Sequence, residues 1–221
     1  MSHHKKFYLI LILLIAGVIL LLIIKIKEAR SIVTNYVETP IVNSTATYIP
    51  IFPADPTFGN PGAKLWIVLF ADLGCKRCGE ITYAITKFIR ENPEKARLIW
   101  KDTPQMTLLS TGNLPAHLAA YCAYEQGQFF PFVNLVMTDK NNLKESGLNK
   151  VAQSLNLDIN KWQICRTATT TQNKIAESMA LAKSLGVVEL PAIFVNNKKI
   201  NLMDDINIEE LLNKFTTVST Q

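Results

Sequence analysis

A short apolar run that stops at two closely spaced cysteines constrains the fold of this chain more than any other feature. Residues 66–70 are the aromatic and β-branched types typical of a buried strand, and from Ile81 the apolar residues recur at helical spacing. Cys75 and Cys78 therefore lie at a strand-to-helix junction. Three positions apart in the first helical turn, they share one face and can form a disulfide. The helix amides beside Cys75 favour its thiolate, which is the reactive form.

A Cys-x-x-Cys pair has an alternative interpretation, as half of a zinc site. A zinc site needs a second pair of ligands at short spacing. The other two cysteines, Cys122 and Cys165, are far apart, and two of the three histidines are His3 and His4 near the N-terminus. We therefore favour redox chemistry over zinc, and we expect no metal and no cofactor.

The net charge of +5 does not indicate a nucleic-acid partner. Five of the 23 basic residues but only one of the 18 acidic residues fall within the first 30 positions, so the rest of the chain has a net charge of +1. The excess of basic residues therefore belongs to the flanks of an apolar N-terminal segment.

This apolar segment, residues 7–24, contains neither a charge nor a proline and is long enough to cross most of a bilayer core. The alternative is a cleaved signal peptide, but the run is long for one and no A-x-A-like site follows it. We predict a cytoplasmic tail over 1–6 and an uncleaved transmembrane anchor over 7–26. The flanking charges do not decide the orientation, so the outward placement of the remaining chain depends on the redox argument.

The rest of the chain divides into a stalk and one domain. We predict a proline-rich stalk over 27–58, because five of the ten prolines fall between positions 40 and 61, and a domain over 59–217. A second strand at 97–100 completes a βαβ unit with a parallel pair. A helical block over about 103–170, a long helix, a proline-led hairpin and a closing helix follow.

This order of elements resembles the DsbA-like thiol-disulfide oxidoreductases. The strongest match covers residues 59–75, which read GNPGAKLWIVLFADLGC, where the family typically shows GNP-x-A, an apolar strand and F-x-D-x-x-C-x-x-C. Further matches are CAYEQG at 122–127, with Phe129, then Cys165, and residues 186–195 around Pro191. The resemblance covers about 55–215. It implies an α/β, thioredoxin-like fold with an inserted helical subdomain, here preceded by one transmembrane helix.

The resemblance also implies an activity. It points to a membrane-anchored protein thiol-disulfide oxidoreductase that introduces disulfides into exported proteins by exchange at Cys75 and Cys78. The implied partners are reduced or misoxidised exported proteins and a quinone-linked membrane oxidase of the DsbB type. The implied location is the plasma membrane, single-pass, with the C-terminal domain on the periplasmic or extracellular side. A reductase or isomerase on the same fold, and a non-catalytic binding module, remain as alternatives.

Two further residues take their roles from the resemblance alone. The family counterpart of Pro191 is a cis-proline whose loop lies against the Cys-x-x-Cys pair and binds substrate backbone. Leu190, the residue before it, would then tune the contact with substrate.

The two residues between the active cysteines are Lys76 and Arg77, where the family usually begins with proline. Nearby cations favour the thiolate and thus the reduced enzyme, which makes the pair more oxidising. A thiol pKa lowered by about two units changes the potential at pH 7 by roughly 20 mV, against about 150 mV between thioredoxin and DsbA. The cations therefore bias the pair toward oxidation without deciding its direction. Within the pair we predict that Cys75 is the nucleophile and Cys78 the buried resolving thiol.

Asp72 and His117 are secondary candidates. Asp72 is either a redox-tuning proton carrier or a polar residue at the end of a strand, and we favour the second interpretation. We expect His117 on a helix surface. An aromatic cluster is expected mainly in the core, with part of it free to line a groove: Tyr121, Tyr124, Phe129, Phe130 and Phe132.

The remaining cysteines are predicted to form a structural disulfide. Four cysteines allow three connectivities, and assigning Cys75 to Cys78 leaves Cys122 with Cys165. The alternative is two separate buried thiols, because free cysteine packs as a small hydrophobe.

Overall fold

The computed structural model describes residues 8, 11–21, 23–25, 48–107, 110–201 and 208–218. The chain divides into two units, Met1–Pro40 and Ile41–Gln221. Within the described residues, no helix combines the length and the apolar character needed to cross a membrane. The tail predicted over 1–6, part of the anchor predicted over 7–26 and most of the stalk predicted over 27–58 lie outside the described residues. The anchor stays a prediction.

A five-stranded mixed sheet forms the centre of the second unit. The strands are β1 Thr57–Gly59, β2 Leu65–Ala71, β3 Ala96–Asp102, β4 Ala192–Val195 and β5 Lys198–Ile200. Their order in the sheet is β1-β3-β2-β4-β5, with β2 and β3 parallel and the other pairs antiparallel. The predicted βαβ unit is confirmed.

The predicted helical insertion between β3 and the long helix is also present. Its helices are α2 Leu114–Tyr124, α3 Phe129–Thr138, a 3₁₀ turn at Lys140–Leu143, α4 Glu145–Ser154 and α5 Ile159–Thr167. The helices outside it are α1 Lys76–Glu91 between β2 and β3, α6 Thr169–Ser184, and α7 Ile208–Val218.

Both faces of the sheet are covered, so β2 and β3 are buried along almost their whole length. On one face α1 and the insertion enclose the larger core cluster, which contains Phe88, Phe132 and Trp162. On the other face a smaller cluster packs against α6. Phe129 and Phe132 are buried, which places this part of the predicted aromatic cluster in the core.

Residues 49–58 belong to the domain, whereas the sequence predicts a stalk over 27–58, and β1, which includes Thr57 and Phe58, is a strand of the central sheet. Ile49 is buried, and its N–H donates to Asn197 Oδ1 at 2.9 Å. Lys101 Nζ, on β3, donates to the Pro50 carbonyl at 2.9 Å and to Asp55 Oδ2 at 2.6 Å. The domain therefore begins earlier than residue 59. The reason is that a buried ammonium needs acceptors, and this segment supplies them.

Burial opposes the charge on both members of this ion pair. It lowers the pKa of Lys101 and raises that of Asp55, while the attraction between the two groups partly offsets each shift. The Lys101 side chain is only 1% exposed. Removing one partner therefore leaves an uncompensated charge in the interior.

We predict that Asp55→Ala lowers the free energy of unfolding by about 3 kcal/mol, because Lys101 is then buried without its carboxylate. Adding Lys101→Met should recover most of the loss, since the double variant buries no lone charge. Chemical denaturation of the oxidised protein measures both effects. Glu91→Ala is the control, because it breaks an exposed pair with Lys87 that solvent screens, so its loss of stability should be small. Equal losses in Asp55→Ala and Glu91→Ala would contradict the assignment.

Candidate active site

The two closely spaced cysteines meet at the start of α1. They are joined as a disulfide, with Cα atoms 5.2 Å apart. Cys75 is the N-cap of the helix, and the Cys78 N–H donates to Cys75 Sγ at 3.1 Å. Cys75 is partly exposed, whereas Cys78 is fully buried. A thiolate on Cys75 would thus lie at the positive end of the helix and accept a backbone hydrogen bond.

The loop before β4 lies against this pair. The Leu190–Pro191 peptide bond is cis, and 3.9 Å separates the Leu190 carbonyl oxygen from Cys75 Sγ. Pro191 is buried and Leu190 is partly exposed. The cis bond and the position of its loop against the cysteine pair, which the family resemblance implied, are therefore present in the structure. The substrate contacts of Leu190 and Pro191 stay predictions.

The three residues that precede Cys75, residues 72–74, form a tightly bonded turn that we call the Cys75 loop. Its buried Asp72 carboxylate accepts three hydrogen bonds, from Gly74 N–H at 2.5 Å, Gln105 N–H at 2.6 Å and Asn113 Nδ2 at 2.7 Å. With these three donors the carboxylate ties the loop to the segment that follows β3 and to the start of α2. This arrangement favours a structural role for Asp72 over that of a proton carrier.

His117 is not on a helix surface, as the sequence analysis expected, but fully buried beneath the Cys75 loop. Its Nε2 lies 3.2 Å from the Leu73 N–H, and its Nδ1 lies 2.6 Å from Asp102 Oδ1. The same Asp102 oxygen accepts a hydrogen bond from Trp100 Nε1 at 2.9 Å. A signal for this burial was present in the sequence. The helix α2 carries no charged residue, so it has no polar face on which a histidine would be exposed.

The two cations between the cysteines differ in exposure. The Lys76 side chain is 86% exposed and its Nζ lies 3.5 Å from Glu80 Oε1. Solvent and this carboxylate both weaken its field at the sulfur atoms. Arg77 is partly buried. The oxidising bias predicted from Lys76 is therefore smaller than its position in the sequence indicates.

An open groove adjoins Cys75 between the start of α1 and the end of α3. Its volume is about 450 Å³, and its lining includes the apolar side chains of Tyr83, Met137 and Leu143 together with Lys140. Tyr83 is 58% exposed. Val188 precedes Leu190 by two positions and is 86% exposed. The groove thus offers apolar contacts beside the Cys75 sulfur.

Away from this site, Cys122 and Cys165 form a second disulfide that joins α2 to α5. The bridge spans 43 residues of sequence. For a loop of that length the chain-entropy model gives about 4 kcal/mol of stabilisation, which identifies a structural role. In the described part of the chain no cysteine is free, and no cluster of side chains is arranged to hold a metal ion.

Comparison with protein families and solved structures identifies the same fold. A family model described as thioredoxin matches residues 52–214. A thioredoxin-like oxidoreductase from Silicibacter pomeroyi DSS-3 is 25% identical, with a TM-score of 0.65 over 77% of this chain and 95% of that one. The thiol-disulfide exchange protein α-DsbA2 from Wolbachia pipientis is 20% identical, with a TM-score of 0.64 over 88% and 97% of the two chains. The catalytic domain of Proteus mirabilis ScsC is also 20% identical, with a TM-score of 0.62 over 75% and 90%.

Curated relatives match only through part of their length. The Na⁺/H⁺ antiporter NhaA 3 of Salinispora tropica is 25% identical over 152 residues, which are 68% of this chain and 23% of the antiporter. NhaA 1 of Mycobacterium sp. strain KMS is 25% identical over 170 residues, 76% of this chain and 28% of the antiporter. The chain thus spans about a quarter of the length of these relatives.

We predict that Gly74→Ala destabilises the oxidised protein by about 2 kcal/mol, because a Cβ at this position would overlap the Asn113 side-chain amide. Adding Asn113→Ala should recover part of the loss by removing the overlap. Gly79→Ala is the matched control, since its Cβ would make an ordinary contact of 3.4 Å with Met137 Cβ. Urea denaturation measures all three variants, and equal stability of Gly74→Ala and Gly79→Ala would disprove the close approach.

Proposed function

Because this chain belongs to the thioredoxin family, we propose that it is a protein thiol-disulfide oxidoreductase that works through Cys75 and Cys78 and introduces disulfides into exported proteins. The observation that carries the proposal is the asymmetry of the pair. One sulfur is accessible at a helix N-cap beside the cis-proline loop, and its partner sulfur is buried.

The proposed exchange has two steps. A substrate thiolate attacks Cys75 Sγ, so that a mixed disulfide forms, the Cys75–Cys78 bond breaks and Cys78 leaves as a thiolate that takes up a proton. A second substrate thiolate then attacks the substrate sulfur of the mixed disulfide. The substrate gains a disulfide, Cys75 leaves as a thiolate, and two electrons pass to the enzyme.

The capping geometry favours the second step. The departing Cys75 thiolate accepts the Cys78 N–H and lies at the positive end of α1, which stabilises the reduced enzyme. A stable reduced form makes the disulfide a better oxidant. This is the reason to prefer oxidation over the reductase or isomerase alternative. A potential near thioredoxin's value of about −270 mV would support a reductase, and one near DsbA's value of about −120 mV would support an oxidase.

The surface around Cys75 supports the proposed substrate class. The groove that contains Tyr83 and Met137 offers apolar contacts to an extended substrate segment beside its cysteine. Such segments are available in proteins that are reduced or misoxidised and incompletely folded. A quinone-linked membrane oxidase of the DsbB type would then return the pair to its disulfide state.

The alternative from another functional class is a non-catalytic module that binds partners. A binding module has no need for a partly exposed sulfur capped by an amide. A dithiol oxidation assay on the protein separates the two, since the module predicts no exchange.

We predict that Cys78→Ala traps disulfide-bonded substrate proteins as mixed disulfides on Cys75. The Cys75 thiolate attacks a substrate disulfide and one substrate sulfur leaves as a thiolate, and the variant has no Cys78 thiol to release the adduct. Non-reducing electrophoresis should show adducts that disappear with reductant. Cys75→Ala is the matched control and should trap nothing. Adducts in Cys75→Ala but not in Cys78→Ala would reverse the two roles, and adducts in neither variant would defeat the oxidoreductase proposal.

We also propose that residues 7–24 anchor the chain in the plasma membrane with the domain on the periplasmic or extracellular side. The uncharged length of the segment supports an anchor, and a disulfide-forming enzyme requires a compartment where thiols are not kept reduced. A cysteine-free reporter that is active only outside the cytosol should be active when it is fused after Gln221. Activity of a cytosol-specific reporter alone would overturn this topology and the oxidase role with it.

A further inference from the structure

The backbone of the Cys75 loop is held from below by α2. The N–H groups of Leu73, Gly74 and Cys75, which follow β2, each donate to an acceptor outside the strand ladder. Gly74 N–H donates to the Asp72 side chain at 2.5 Å, Cys75 N–H donates to the Asp72 carbonyl at 3.1 Å, and Leu73 N–H donates to His117 Nε2 at 3.2 Å. The His117 bond is the one contact of the three that comes from another element of the fold.

The bonding partners of His117 fix the tautomer of its ring. A backbone N–H can only donate, so Nε2 must present a lone pair to Leu73. Nδ1 then carries the proton and donates it to Asp102 Oδ1 at 2.6 Å. Trp100 Nε1 donates to the same oxygen at 2.9 Å and so fixes Asp102 in turn. Both ring nitrogens are used, and the ring has no access to solvent.

The parallel register of β2 and β3 brings these groups together. Ala71, the last residue of β2, pairs with Asp102, the last residue of β3. The Cys75 loop and the Asp102 carboxylate therefore leave the same edge of the sheet. His117, four residues after the Asn113 N-cap of α2, bridges the space between them.

We infer that His117 is a positioning residue for thiol-disulfide exchange. By accepting the Leu73 N–H while Asp102 holds its Nδ1 proton, it fixes the Cys75 loop and thereby the position of Cys75 Sγ relative to the Cys78 amide. His117 touches no reacting atom. The inference rests on the proposed function and adds to it the means by which the reactive sulfur is presented.

Fixing the Cys75 loop should stabilise the reduced form of the cysteine pair more than the disulfide form. In the disulfide form the bond between the two sulfurs itself keeps Cys75 near Cys78. In the reduced form that bond is absent, and the Cys75 thiolate depends for its stability on the hydrogen bond from the Cys78 N–H. The strength of this hydrogen bond falls steeply when its distance or angle is poor. Loosening the Cys75 loop should therefore destabilise the reduced form more than the oxidised form and make the pair less oxidising.

Two substitutions of His117 separate its role as acceptor for the Leu73 N–H from its role as donor to Asp102. His117→Gln places an amide oxygen where Nε2 lies and keeps an acceptor for Leu73. His117→Asn places its amide near Nδ1, so it keeps a donor for Asp102 but loses the acceptor for Leu73. We expect His117→Asn to shift the equilibrium with glutathione by roughly tenfold toward the disulfide form, or about 30 mV for a two-electron couple, and His117→Gln to stay close to the parent.

The control is Trp162→Phe. It removes a buried hydrogen bond of 2.9 Å from Trp162 Nε1, on α5, to the Ala119 carbonyl on α2, the helix that carries His117. It should lower the melting temperature without moving the redox equilibrium. A His117→Asn protein with the parent's equilibrium would reduce His117 to a structural role, and so would an equal shift in Trp162→Phe.

The hydrogen bonds of His117 can also be tested on the unmodified full chain, without relying on a variant that must fold. Long-range ¹H–¹⁵N correlation spectra should show His117 with its proton on Nδ1, and Leu73 N–H should exchange slowly with solvent. A ring with its proton on Nε2, or a fast-exchanging Leu73 amide, would overturn the inference. The glutathione equilibrium reports on the cysteine pair whether or not a substrate is processed. Absence of trapping by Cys78→Ala would therefore defeat the proposed function without deciding the role of His117.

Discussion

The hydrogen bond from the Cys78 amide to the Cys75 sulfur is the interaction on which the rest of the site depends. The first-turn amides of any helix need acceptors, and at α1 the acceptor is a sulfur atom in place of the usual hydroxyl or carboxylate. The same bond thus caps the start of the helix and stabilises the charge that the chemistry produces. The sulfur must lie at the N-cap, so the geometry of the turn between β2 and α1 becomes a condition of reactivity.

Buried polar groups support this turn, and they stabilise it only if each of them has hydrogen-bond partners. Asp72 accepts three hydrogen bonds and His117 uses both ring nitrogens. A buried polar group with partners rigidifies its surroundings, whereas one without a partner costs free energy. The same reasoning explains why residues 49–56 stay on the domain, where they supply Lys101 with a carboxylate and a carbonyl.

Recognition and support lie on opposite sides of the reactive sulfur. The groove and Leu190 lie next to Cys75 on the open side and consist mostly of apolar side chains and backbone. The histidine and carboxylates lie on the inner side, where solvent does not reach them. This separation lets the outer surface accept varied substrate segments while the inner network keeps the position of Cys75 constant.

The sequence by itself determined the features that depend on neighbours along the chain. The apolar run of β2, the two cysteines and the periodicity of α1 are local, and they predicted the βαβ unit and the place of the reactive pair. Counting cysteines left Cys122 and Cys165 as partners. Only the tertiary structure decided what distant segments do to one another. The burial of His117 depends on α2 packing under a loop 44 positions away, and the start of the domain depends on Asp55 meeting Lys101 across 46 positions. Neither residue carries a local signal that names its partner. The lack of charged residues on α2 indicates that His117 is buried, but only the packed fold shows that the Cys75 loop covers it, because the covering surface comes from a distant part of the chain.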